Sequence, residues 1–141
     1  MNEVTESQIE IINEFSFFED WMDKYQYIID LGRRLSPLAA QEKINDNKIK
    51  GCQSQVWLIC ESDNERLLFR AISDAAIVSG LIAILLRIYS NKKPQDILEA
   101  PIDFIEALQL EQHLSATRSN GLSSMLAAIK SHAVQSIEDH D

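Results

Sequence analysis

The sequence predicts an α+β fold, with a small antiparallel sheet of about three strands packed against several helices. Three observations carry that expectation. Apolar residues recur at helical spacing at both ends of the chain. Two short apolar, partly β-branched runs, Val56 to Cys60 and Leu67 to Ile72, flank a polar stretch holding Asp63-Asn64. A strongly apolar segment, Ala75 to Tyr89, follows the second run directly, the order expected of a helix laid on a sheet.

Each element has its own signal. Ile9, Ile12 and Phe15 space out as one face of a helix over Ser7 to Phe15, with Thr5/Gln8 or Ser7/Glu10 as capping boxes. Phe18, Trp21, Met22, Tyr25, Ile28 and Ile29 continue the period in a second helix ending at Gly32-Arg33-Arg34, where cations meet the negative helix pole. Ser36 to Asn47 is polar, contains Pro37, and reads as a connector with one turn of helix. The two apolar runs form a hairpin, and Lys48 to Lys50 adds a short third strand. Ser73 and Asp74 are natural N-caps for the buried helix Ala75 to Tyr89. Pro94 and Pro101 open two short helices, through Ala100 and Leu108. Leu122, Met125, Leu126, Ile129 and Ala133 mark a final amphipathic helix, and the acidic tail at 138–141 is expected to fray.

The chain of 141 residues suits a single domain, 1–141, with one core. Its 45% hydrophobic and 25% charged residues are those of a globular protein. A net charge of −9 argues against nucleic acid, whose phosphates require clustered Lys and Arg. The apolar stretch Ala75 to Tyr89 is shorter than the roughly 20 residues that span a bilayer, so no membrane is expected. The acidic start Met1 to Glu6 lacks the order of a signal peptide. A cytoplasmic, reducing location follows, and its two cysteines are expected to be free thiols.

The segment Lys50-Gly51-Cys52-Gln53-Ser54-Gln55 places a cysteine after a glycine, in a polar stretch at the mouth of a strand. Free cysteine is ordinarily a small buried hydrophobe. Here Gly51 permits a sharp turn, and Gln53-Ser54-Gln55 offers nothing apolar to bury Cys52 with. An accessible thiolate is a nucleophile. Lys48 and Lys50 either favour that thiolate or line a solvated strand edge, and the second is the simpler reading. Cys60 ends an apolar run and reads as a structural strand residue. His113 is a base for Cys52 if the two meet, though a histidine beside leucines is more often packed or at the surface. His132 and His140 have no partner at metal-ligand spacing, so no metal site is expected.

The block Ile49-Lys50-Gly51-Cys52-Gln53-Ser54-Gln55-Val56-Trp57 resembles the signature of the SufE/CsdE family of sulfur-acceptor proteins. Two more blocks match in order and spacing: Ser73-Asp74-Ala75-Ala76-Ile77-Val78 with Gly80-Leu81, and His113-Leu114-Ser115 with Thr117-Arg118 and Asn120-Gly121-Leu122. Tyr25, Ile28, Ile29, Leu31, Gly32, Arg34 and Leu35 also match, so the resemblance runs from about residue 10 to 132. Ala116 departs from the family's usual proline.

The resemblance implies a fold like that of the U-type iron–sulfur scaffold proteins. It implies sulfur transfer: Cys52 takes persulfide sulfur from a cysteine desulfurase, stimulates that enzyme, and delivers sulfur to an iron–sulfur scaffold protein. The chain would be a transpersulfuration partner more than an independent enzyme, monomeric or a weak homodimer. Pyridoxal phosphate would belong to the desulfurase, and this chain would bind no cofactor beyond the persulfide on Cys52. Arg118 maps onto a family arginine near the partner-facing surface; His113, Gln53 and Asp74 join it as partner-binding or persulfide-stabilising residues.

Other readings compete. A cluster-building scaffold needs several thiolates, and the loop offers one. A Cys–His hydrolase needs a histidine within reach of Cys52. A thiol peroxidase would pair Cys52 with Cys60, which an extended chain holds too far apart for a disulfide.

Overall fold

The computed structural model describes residues 2–51 and 54–140, and for residues 111, 116–119 and 140 it describes the backbone alone. Helices α1 (Glu3–Phe15) and α2 (Trp21–Arg33) come first. A connector with two 3₁₀ turns, Ala40–Glu42 and Asn45–Asn47, leads to the hairpin of β1 (Val56–Asp63) and β2 (Arg66–Ser73). Then follow α3 (Ala76–Tyr89), α4 (Pro94–Glu99), α5 (Phe104–Ala107), α6 (Leu110–His113) and α7 (Ala116–His140).

The hairpin is antiparallel, with Val56 opposite Ser73 and Asp63 opposite Arg66. Asn64 and Glu65 close it with φ of 50° and 66°, the left-handed pair that matches strand twist in a two-residue turn. Alternation sets the faces: Val56, Leu58, Leu67, Phe69 and Ala71 are buried on one side. The third strand expected at Lys48 to Lys50 contracts to a single bridge, Lys48 to Trp57, so the sheet has two strands among the described residues. The 3₁₀ turn just before it, whose Asn45 carbonyl accepts from Lys48 N, leaves too little extended chain for a ladder.

Helix α3 is the central element, with Ile77, Val78, Leu81, Ile82, Ile84, Leu85, Ile88 and Tyr89 all buried. It crosses α2 with backbone against backbone. A Cβ built on Gly32 would lie 2.5 Å from Gly80 N, and one on Gly80 would overlap the Ile28 carbonyl oxygen. Only glycine fits either position, which is why both occur inside helices despite the propensity cost.

The helix ends differ from expectation. Asn2 caps α1, its side chain accepting from Val4 N at 2.8 Å and Thr5 N at 3.3 Å. Asp20 caps α2 through Asp23 N at 2.9 Å. Neither Ser73 nor Asp74 is the N-cap of α3; Ala75 holds that place without a side-chain hydrogen bond. The polar stretch from Thr117 to Gly121 is not a loop before the last helix but its opening turns, and α7 continues through Glu138 and Asp139 to His140.

Ion pairs tie the layers together. Arg87 of α3 grips Glu14 of α1 with both guanidinium nitrogens, and Tyr27 of α2 donates to the same carboxylate at 2.6 Å. Arg70 of β2 binds Glu42 of the connector and Glu61 of β1. Arg66 binds Glu3 at 2.6 Å.

Candidate functional site

The loop between Lys50 and Gln55 is held on three sides. Its two ends are bridged by Ile49 N donating to the Val56 carbonyl at 2.9 Å. Its exit is fastened to the β2–α3 junction: Gln55 N donates to Asp74 Oδ1 at 3.1 Å, and Asp74 N donates to the Gln55 carbonyl at 3.4 Å. Its entry, Gly51, has φ of 90° and lies against α7, where a Cβ would come within 2.7 Å of Ser124 Oγ. The left-handed φ favours glycine here, and a Cβ would in addition force the Ser124 hydroxyl to turn away. Cys52 and Gln53 lie between these supports and outside the described residues.

Asp74 is therefore a loop residue in function as well as place. Its carboxylate sits just before α3, where the helix dipole favours an anion, and turns to Gln55 rather than to the helix amides. Ser73 Oγ accepts from Ala75 N at 3.2 Å, and Ser79 Oγ donates to the Ser73 carbonyl at 3.2 Å. These bonds stiffen the junction that Asp74 uses as its base. Beside it a cleft of about 260 Å³ opens between Gly32 and Arg33 of α2 and Ser79 of α3.

His113, at the end of α6, stacks on Trp21 at the start of α2, with ring centroids 4.1 Å apart and planes 12° apart. One ring face is thereby committed to packing, the outcome usual for a histidine beside leucines. Arg118 falls in the first turn of α7, the helix that carries Ser124, and its side chain lies outside the described residues. Ser124 is the member of this site that the sequence did not single out. Its signal was a run of small residues at helical spacing, Gly121, Ser124 and Ala128, a place where a loop can approach.

Cys60 is a free thiol on the inner face of β1, partly buried and packed against the core. Burial, with the Glu61 carboxylate adding to it, pushes its pKa up to about 11. A thiol so protonated is a poor nucleophile at neutral pH. Burial also lowers the pKa of His132, whose ring meets Phe69 edge-on. Among the described residues, no group of three or more His, Cys, Asp or Glu side chains is placed to hold a metal ion. No described helix is long and apolar enough to cross a membrane.

A two-stranded hairpin that carries a stapled cysteine loop, with helices packed on it, defines a small α+β protein built around one loop. Residues 9–133 match the family described as "SufE: Fe-S metabolism associated domain". The chain belongs to the SufE family. An uncharacterized SufE-like protein of Rhizobium meliloti (strain 1021) is 40% identical over 129 residues, covering 88% of this chain and 92% of the relative. One from Rhizobium etli is 42% identical over 131 residues, covering 88% and 87%. The solution structure of a hypothetical protein from Thermus thermophilus superimposes with a TM-score of 0.77 at 14% identity, over 94% of this chain and 96% of that one. At that identity the likeness is one of fold. The family's association with Fe–S metabolism gives this chain its broad role.

Proposed function

We propose that this protein accepts sulfur on Cys52 from a cysteine desulfurase, stimulates that enzyme and passes the sulfur to an iron–sulfur scaffold protein. The observation that carries the reading is the three-sided support of the Lys50 to Gln55 segment in a chain of this family. Fixed ends keep the segment that carries Cys52 at one place on the fold, which a sulfur donor needs in order to find it.

The chemistry is thiol–disulfide exchange with a persulfide as electrophile. The Cys52 thiolate attacks the outer sulfur of the desulfurase persulfide. A new bond forms between Cys52 Sγ and that sulfur, the donor's S–S bond breaks, and the donor cysteine leaves as a thiolate. The persulfide proton stays on the transferred sulfur, so charge and electrons balance. The second transfer repeats the exchange with the scaffold's thiolate as attacker.

Asp74 keeps the loop exit in place; Gln53, next to Cys52 in the sequence, would offer its amide to the persulfide or to the partner. Arg118 supplies a permanent positive charge toward the persulfide anion or the docked partner. His113, flat on Trp21, offers an exposed polar edge for docking. Pyridoxal phosphate remains the desulfurase's cofactor in this scheme. The protein acts in the cytoplasm as a monomer or weak homodimer. The test is to mix the protein with cysteine desulfurases and L-cysteine and weigh the intact chain. Gain of one sulfur atom supports the reading; no gain with any desulfurase that itself carries persulfide contradicts it. Arg118→Ala should lower the stimulation and leave the fold intact.

A further inference from the structure

An open groove of about 360 Å³ runs beside the cysteine loop, between residues 46–50 and α7. Lys48 and Lys50 form one wall, and Ser124, Ala128 and His132 form the other. Ser124 also faces Gly51, so the groove opens directly alongside the segment that carries Cys52. Its volume is that of a small-ligand site, room for a few residues of extended chain.

The charge of this groove runs against that of the molecule. The chain has 22 acidic and 13 basic residues, yet Asp46 is the one carboxylate among the described residues of this lining. The ion pairs among the described residues all use arginine, so neither lysine is neutralised by one. Both ammonium groups stand at the rim, Lys50 exposed and Lys48 partly so.

We propose that this groove seats an acidic, extended segment of the sulfur donor and so aligns the donor's persulfide with Cys52; the inference rests on the sulfur-acceptor reading. Charge complementarity selects the occupant. An acidic segment gains from the two lysines at this rim, while the net charge of −9 makes the molecule as a whole unfavourable to it. That contrast makes the contact specific in place and register, the usual role of rim charges. A second copy of this chain, with the same net charge of −9, is disfavoured as the occupant.

The test has two arms. In the first, amide shifts of the labelled protein are followed while an acetylated hexa-aspartate peptide is added, with hexa-serine and hexa-lysine as controls. Shifts at Lys48, Lys50, Ser124 and His132 with hexa-aspartate alone, lost in a Lys48→Glu/Lys50→Glu variant, are expected. No shifts there, or equal shifts with hexa-serine, overturn the groove as an acidic-peptide site. In the second, the desulfurase concentration giving half-maximal sulfur uptake should rise at least about tenfold in the double variant, more at low salt than at high salt. An unchanged concentration overturns the donor as occupant. Failure of the wild-type chain to take up sulfur at all counts against the proposed function and not against the groove, which the first arm reads by itself.

Discussion

Asp74 and Gln55, nineteen positions apart, hydrogen-bond to each other twice, amide to carboxylate and amide to carbonyl. This pair of hydrogen bonds fastens the cysteine loop to the start of the central helix. The residue that would ordinarily cap α3 has been turned outward to hold the loop instead.

Asp74→Ala removes one of the two bonds. Both residues are exposed, so water replaces the lost acceptor and global stability should fall by only about 0.5–1.5 kcal/mol. The larger effect is local: hydrogen exchange at the Gln55 amide should accelerate well beyond that at Ile49, whose bond to Val56 is untouched. Asp74→Asn, which retains an acceptor oxygen, should restore much of the protection. Unchanged Gln55 exchange in Asp74→Ala would show that the carboxylate does not hold the loop.

Gly51→Ala brings two penalties, a left-handed φ and a contact of 2.7 Å with Ser124 Oγ. The backbone term should cost about 1–2 kcal/mol. Combining it with Ser124→Ala removes the Oγ contact but not the φ, and alanine suits the interior of α7, so denaturant unfolding of the double variant should recover part of the loss. Full recovery would mean that φ at 51 relaxes freely; no recovery would mean that Ser124 is not the obstacle.

Gly80→Ala should be far more damaging, because its Cβ would overlap backbone, the Ile28 carbonyl. Helices α2 and α3 must separate or the chain must unfold, at a cost of about 3 kcal/mol or more. Thermal unfolding checks this, and a near-native midpoint would contradict the close crossing.

The Glu14 cluster sets a pH dependence. The Arg87 guanidinium holds the Glu14 carboxyl below its usual value, with Tyr27 adding a hydrogen bond. The lowered folded pKa means that the contribution is present above the unfolded value near 4.5 and is lost as pH falls through the folded one. Tyr27 is raised by Glu14, so its contribution holds below pH 10 and fades as pH rises through its folded value. Solvent screens the pair, so Glu14→Gln should cost about 0.5–1 kcal/mol at pH 7 and much less at pH 3 in urea unfolding. An equal cost at both would place the effect in packing rather than charge.

The sequence made the hairpin and α3 plain because their apolar runs have no alternative burial. It did not show where α7 begins, because the apolar period starts only at Leu122 while the helix starts six residues earlier, in polar side chains with exposed Gln112 and His113 ahead of them. Arg118 thus belongs to a helix and not to a turn before it. Asp74 reads as a cap for a similar reason: a carboxylate has equal claims on nearby helix amides and on a distant loop amide, and chain order cannot rank them. The cysteine loop itself is marked by Gly51 and the abrupt polar-to-apolar change at Val56. Its third support, Ser124, depends on a packing contact seventy-three residues away.

The central claim is that sulfur goes to Cys52 and not to Cys60. Cys60, with its thiol raised to about 11 and its side chain packed against the core, should be silent. Cys60→Ser should therefore keep sulfur uptake, losing only some stability from the hydroxyl. Cys52→Ser should fold and still bind the desulfurase, because docking uses a surface larger than one side chain. The decisive measurement is intact mass after incubation of each variant with a cysteine desulfurase and L-cysteine. The account predicts one added sulfur on Cys60→Ser and none on Cys52→Ser; sulfur on Cys52→Ser, with none on Cys60→Ser, would contradict it.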